Sequence, residues 1–319
     1  MRKQPIGNYQ VSVIGLGSSE FGGKCLENQA WEFMDRFVAL GGNFIDTARV
    51  YGDFVTPKDG ESEKVIGRWL SARHLRDQIF LSTKGGHPRL WAMRQSRLSR
   101  EEVRGDMADS LNDLQTDHVE IYWLHRDDEN RPVGEIMDTL QSLIDDGWTR
   151  MVGVSNWQPS RIREANAYAE RHGLTKIIAN QPQFSLAAQK KSLDPTLVTM
   201  NEETWQLHKE AGLVCCCFSS QAHGFFTKLE QGGVEALSEN VKDEFLTEEN
   251  LACYQRMKAL QQETGLSIGA IALAYLTSQP FPTFALVGAS KMAHVDALQE
   301  AGEALLTDQQ RDHLRSFGK

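Results

Sequence analysis

GGNFIDTARVYG, residues 41–52, is the segment from which the fold of this chain is worked out. A glycine turn leads into a short apolar strand, Phe44 and Ile45, which ends in Asp46, and Tyr51 follows after a brief turn. Two ionisable groups leaving the C-terminal end of one strand is the pattern of a parallel α/β barrel, which places its chemistry on that face. Taken alone, the segment fits equally well a capping aspartate followed by a packed tyrosine.

Outward from it, short apolar, β-branched runs alternate with longer stretches of helical period, as in repeated βα units around a parallel sheet. Strands are expected near residues 13–16, 43–46, 79–83, 119–124, 151–154, 177–179, 213–217 and 284–287. That is the number that closes a (β/α)8 TIM barrel. No Pro/Gly/Ser linker divides the chain, so residues 1–319 are expected to form a single α/β barrel domain. Ser99 and Glu102 form a capping box ahead of Val103, Met107, Leu111 and Leu114. Ser267 likewise precedes Ile268, Ile271, Ala272 and Tyr275, and Pro280 stops that helix. Residues 218–250, rich in Gly, Gln, Glu and Ser, are expected to be a long irregular loop serving as a lid or substrate loop.

Composition sets limits on function. Hydrophobic residues at 40% and charged residues at 24% are ordinary globular values, and a net charge of −9 disfavours polyanionic partners such as nucleic acid. Neither a signal-length apolar stretch nor a membrane-length run occurs, so a cytoplasmic protein without membrane partners is expected. The five cysteines include the consecutive Cys215, Cys216 and Cys217, whose side chains alternate across a strand and suit reduced, buried thiols. With neither CxxC nor HExxH spacing present, no metal site is expected.

Other strand ends carry chemistry too. The strand ending STKGG presents Lys84, and that ending IYWLHRDD presents His125. Lysine often snorkels and a lone histidine often packs in a core. Asp46, Tyr51, Lys84 and His125 together, on three successive strands at one face, point instead to a site.

The chain resembles the aldo-keto reductase superfamily along nearly its full length, through VIGLGSSEFGG, GGNFIDTARVYG, GESEKVIGRWL, FLSTKGG, LQTDHVEIYWLHRDD, GWTRMVGVSNW, IANQPQFSL and LVGASK. The resemblance implies a barrel that binds a nicotinamide coenzyme without a Rossmann domain, and a catalytic tetrad on Asp46, Tyr51, Lys84 and His125. The chemistry is consistent: reducing a carbonyl with hydride needs a proton for the developing alkoxide. Tyr51 is the candidate acid. A free phenol has a pKa of about 10, and a nearby ammonium such as Lys84 favours its ionised form. Asp46 would orient Lys84, and His125 would polarise the carbonyl or assist proton transfer in the reverse oxidation.

By the same resemblance Ser155, Asn156 and Gln181 hold the nicotinamide carboxamide, and Phe218 stands where relatives stack an aromatic ring on it. Ser219, Gln221 and Gly224 are candidates for the pyrophosphate, although SSQAHGFF departs from the usual pattern after Phe218. Gly17, in a GLGSSE motif that lacks the third glycine of a Rossmann fingerprint, belongs to the coenzyme edge of the first barrel strand. Gly288, Ser290, Lys291 and His294 match the adenosine end, while Ala297 and Leu298 replace the polar pair that grips adenine in many relatives. Ser290 and Lys291 suit a 2′-phosphate, which favours NADPH with NADH as the alternative. Substrate contacts are expected from Phe21, Phe54, residues 87–91 (HPRLW), Arg126 and Trp157.

The expected function is an NAD(P)H-dependent oxidoreductase reducing an aldehyde, ketone or sugar-like carbonyl, or oxidising the alcohol. The alternatives are a coenzyme-binding sensor or regulatory subunit, and a lyase or isomerase that recycles its coenzyme internally. The oligomeric state is open.

Overall fold

The computed structural model describes residues 1–53, 60–192 and 194–317, so Phe54 lies outside the described residues. The strands among them are β1 (Lys3–Ile6), β2 (Tyr9–Ser12), β3 (Ile14–Gly17), β4 (Phe44–Asp46), β5 (Phe80–Gly85), β6 (Val119–Leu124), β7 (Thr149–Ser155), β8 (Ala179–Gln181), β9 (Val214–Cys217) and β10 (Thr283–Gly288). Strands β3 to β10 pair in parallel and in chain order, and β10 returns to β3, closing an eight-stranded barrel. All eight expected strands are present.

The expected start of β8 was too early for a specific reason. The Asn166 side chain accepts from the Ile177 N–H at 2.8 Å and donates to its carbonyl at 3.0 Å, so that residue's backbone is satisfied outside the ladder. The hairpin β1–β2 had not been expected from the sequence. It turns at Gly7, with φ +54°, and pairs Ile6 with Tyr9. Its Ile6 and Val11 pack with Phe44, Phe80 and Phe284, at the starts of β4, β5 and β10, and so close the N-terminal end of the barrel.

Helices α1 (Glu27–Ala39), α2 (Glu61–Arg73), α3 (Arg100–Asp113), α4 (Val133–Asp145), α5 (Pro159–His172) and α6 (Glu202–Ala211) follow β3 to β8 in turn. The capping box of Ser99 and Glu102 forms at the start of α3, as expected. After β9 come α7 (Phe225–Gly232), α8 (Glu239–Phe245), α9 (Glu248–Thr264) and α10 (Ile268–Thr277), the last capped by Ser267. After β10 come α11 (Met292–Glu303) and α12 (Asp308–Leu314).

Residues 218–250 therefore correct the expectation of an irregular loop. Much of the segment is helical, because Phe225, Phe226 and Leu229 of α7 and Val241 and Phe245 of α8 are buried. Tertiary burial outweighs the weak helix preference of a Gly-rich composition. Along β9, Cys215 and Cys217 face the helix layer while Cys216 joins the barrel interior, and all five cysteines are free and buried. Among the described residues no helix is long and apolar enough to cross a membrane.

Candidate active site

Strand register assembles the centre. Successive residues of a strand point to opposite sides, so Ser82 and Lys84 of β5 share the inward face. Register pairing sets Asp46 beside Ser82. Lys84 is fully buried, and its ammonium donates to Asp46 Oδ2 at 2.5 Å, to the Thr47 carbonyl at 2.7 Å and to Tyr51 Oη at 3.2 Å. Asp46 Oδ1 accepts from Ser82 Oγ at 2.6 Å and from Gln181 Nε2 at 3.2 Å. Burial opposes the charge on Lys84, but Asp46 and Tyr51 outweigh it and raise its pKa.

The turn that carries Tyr51 is anchored on both sides. Its Thr47 and Arg49 N–H groups continue the β5 ladder onto the Ser82 and Lys84 carbonyls at 2.9 Å. Arg49 also grips Glu63 of α2 at 3.0 Å and Asp113 of α3 at 2.5 Å, and fully buried Glu63 accepts in addition from Thr83 Oγ1. Gly52, with φ +88°, lets this turn close on α2, since a Cβ there would lie 2.8 Å from that of Glu61.

His125 follows β6, with its N–H on the Gly85 carbonyl at 2.9 Å. Its ring lies 5.8 Å from that of Tyr51 and 4.8 Å from that of His87. Burial, reinforced by His87, Lys84 and Arg126, holds His125 well below the ordinary imidazole range. At neutral pH it is an uncharged hydrogen-bond donor. The four tetrad residues are thus brought together at the C-terminal end of β4, β5 and β6.

The remaining candidates divide by strand end. Ser155 and Gln181 end β7 and β8, and Ser155 Oγ donates to the Gln181 carbonyl at 2.8 Å. Asn156, in a left-handed conformation at φ +62°, donates to the His125 carbonyl at 3.2 Å and accepts from the Val198 N–H at 3.1 Å. It therefore ties three barrel loops together. Gly17 pairs with Gly288 in register, and both lie beside the mouth without side chains. Half-buried Phe218 is pinned by backbone bonds to Pro182 and Phe184. Ser219, Ala222, His223 and Gly224 all have positive φ, so this stretch is a tightly folded loop that includes Gln221. Ser220, a departure from the family pattern, is buried and donates to the Leu286 carbonyl at 2.6 Å, locking the loop to β10.

Ser290, Lys291 and His294 are exposed together at the start of α11, where Ser290 Oγ lies 3.4 Å from His294 Nδ1. The helix has no side-chain cap, so no side chain competes for its leading N–H groups. A helix N-terminus flanked by hydroxyl, ammonium and imidazole, without a carboxylate among them, fits the phosphate groups of a nicotinamide coenzyme. Leu298 is buried in the core and offers adenine nothing.

Sequence reasoning missed Ser82 and the Arg49–Glu63–Asp113 network. Ser82 was recoverable from its spacing of two from Lys84. The network was not, because Arg49 and Asp113 meet only when α3 packs beside α2.

A family model described as Aldo/keto reductase family matches residues 13–319. The chain is 28% identical over 319 residues to an aryl-alcohol dehydrogenase of Pestalotiopsis microspora, an alignment that covers 95% of this chain and 78% of that protein. It is 26% identical to norsolorinic acid reductase B of Dothistroma septosporum, over 98% of this chain and 79% of that one. A putative aryl-alcohol dehydrogenase of Saccharomyces cerevisiae is 29% identical, over 95% of this chain and 80% of the relative.

Proposed function

The chain belongs to the aldo/keto reductase family and is an NAD(P)-dependent oxidoreductase, and from that premise we propose that Tyr51 is the general acid and base for reduction of an aldehyde, ketone or sugar-like carbonyl, or for oxidation of the corresponding alcohol. The observation that carries this reading is the direction of one hydrogen bond. Lys84 Nζ donates to Tyr51 Oη, so the phenolic proton is left for a substrate oxygen.

A bound nicotinamide coenzyme would supply or accept the hydride. The chain's own residues manage charge and the proton. As a carbonyl oxygen gains negative charge, Tyr51 and neutral His125 donate hydrogen bonds to it, and Tyr51 then transfers its proton. The phenolate left behind is stabilised by the Lys84 ammonium, itself held by Asp46. In oxidation the same phenolate accepts the alcohol proton.

In this reading Ser155, Asn156 and Gln181 orient the carboxamide, Phe218 stacks on the nicotinamide, and Gly17, Ser219, Gln221 and Gly224 bound the pyrophosphate. Gly288, Ser290, Lys291 and His294 receive the adenosine end, and the charge of Lys291 favours NADPH over NADH. One domain over residues 1–319 and a cytoplasmic location complete the proposal, the latter supported by five free cysteines. The test is loss of reduced-nicotinamide absorbance with NADPH or NADH against aldehydes, ketones and sugars. Consumption by wild type and none by Tyr51→Phe is expected, whereas equal consumption by both proteins excludes Tyr51 from the role.

A further inference from the structure

The cations around the centre are unequally matched. Lys84, Arg49 and Arg97 each meet a carboxylate closely, Asp46 at 2.5 Å, Glu63 at 3.0 Å and Asp106 at 2.6 Å. Arg126 does not. Its side chain is only 13% exposed, yet its ion pair with Asp194 spans 3.8 Å, and its buried Nε has no hydrogen-bond partner among the described residues. Among the described residues only Nη1 has a good acceptor, the His125 carbonyl at 2.9 Å. Asp194 is not placed to improve the match, because its Oδ1 is held by the N–H of Thr196 at 2.9 Å and its Oγ1 at 2.6 Å. A desolvated guanidinium with an incomplete set of acceptors is a strong site for an incoming anion.

Its position links that anion to the reaction. Arg126 directly follows His125, and its guanidinium donates back to the His125 carbonyl, so it sits against the residue beside Tyr51. The neighbouring His87 does not compete. Its Nδ1 contacts the Pro88 carbonyl at 2.6 Å, and a carbonyl only accepts, so the proton sits on Nδ1. Burial, with Arg126 beside it, lowers the His87 pKa to about 4, so the ring is neutral near pH 7. His87 also borders a cavity in which apolar Pro88, Leu90 and Trp91 are joined by charged Arg49, Arg89 and Arg97, so a carbon skeleton there would lie among cations.

Resting on the reductase reading, we propose that Arg126 is a specificity-determining residue and that the preferred substrates are carbonyl compounds bearing a carboxylate. A single guanidinium with Asp194 nearby suits a monoanion better than a phosphate dianion. The planar fork of arginine also matches a carboxylate in two parallel hydrogen bonds.

The test compares kcat/KM for 4-carboxybenzaldehyde with benzaldehyde, and for succinic semialdehyde with butanal, in wild type, Arg126→Gln, Arg126→Lys and Asp194→Asn. Wild type should prefer the acid of each pair, and Arg126→Gln should lower the acid-to-neutral ratio of kcat/KM by roughly 10- to 100-fold, mainly through KM on the acids. Arg126→Lys should keep part of the preference, and Asp194→Asn should increase it. An Arg126 that merely supports the loop would lower both members of each pair equally, and that result overturns the proposal. Tryptophan-fluorescence titration with benzoate and with benzyl alcohol separates this inference from the reading it rests on. If no aldehyde is reduced, the reductase reading fails, but benzoate binding that is tighter than that of benzyl alcohol and is lost in Arg126→Gln still upholds the anion site. Equal binding of the two probes overturns it.

Discussion

Tyr51 and Lys84 are joined by a hydrogen bond in which the buried ammonium donates to the phenolic oxygen at 3.2 Å, with the same ammonium 4.6 Å from the centroid of the ring. The tyrosine is thereby oriented and its proton left free. Tyr51→Phe keeps the ring and removes only the hydroxyl proposed as the acid. It should lower kcat by roughly 10²- to 10⁴-fold, while coenzyme affinity measured by fluorescence stays close to wild type.

Removing the lysine has a different consequence. Lys84→Met leaves Asp46, which is 2% exposed, with a buried carboxylate that among the described residues keeps side-chain hydrogen bonds only from Ser82 and Gln181. Breaking a buried pair in this way costs about 3–5 kcal/mol, so a marked fall in the denaturant midpoint should accompany loss of turnover. Ser82→Ala removes one neutral donor to Asp46 and should cost only about 1–2 kcal/mol, with activity reduced but measurable.

Glu63 is distant from the reacting atoms in sequence but anchors the turn that carries Tyr51 through Arg49. Glu63→Gln keeps the shape and removes the charge. Stability should drop by about 2–4 kcal/mol, and kcat should fall while coenzyme affinity is kept. A thermal-unfolding midpoint equal to wild type would show that Asp113 alone holds Arg49.

His87 makes stability depend on pH. Its folded-state pKa of about 4 lies below the ordinary 6.5, so between these values the unfolded chain binds more protons than the folded one. The stabilisation is fully present above pH 6.5 and is lost progressively as the pH falls towards 4, by roughly 3 kcal/mol in all. His125 is shifted in the same direction and adds to the effect. Urea midpoints at pH 7 and pH 4.5 should therefore differ more for wild type than for His87→Gln.

Coenzyme choice is testable at the exposed start of α11. Lys291→Glu should weaken NADPH binding by about tenfold or more, the scale of one charge-assisted contact, and leave NADH nearly unaffected. Equal losses for both coenzymes would remove Lys291 from recognition of a 2′-phosphate.

Most of the barrel was legible because its signals are local. Each strand announced itself by a short apolar run, and Asp46, Lys84 and His125 by their places at strand ends. The hairpin was hidden by polar residues such as Lys3, Gln4 and Gln10, whose strand character comes only from pairing and from burying Ile6 and Val11 under the barrel. The helices within residues 218–250 were hidden by glycines and glutamines around few apolar anchors, Phe225, Phe226 and Phe245.

By itself, the sequence determined the eight-stranded barrel and the strand-end places of Asp46, Tyr51, Lys84 and His125, since strand periodicity and strand-end position follow from neighbours in the chain. Only the tertiary structure decided which charges are matched and which are not: Arg49 held by Glu63 and Asp113, and Arg126 left 3.8 Å from Asp194 with a buried Nε unpaired. Such matching depends on distances between groups far apart in the chain and on how much water packing leaves between them, and neither quantity exists before the barrel closes.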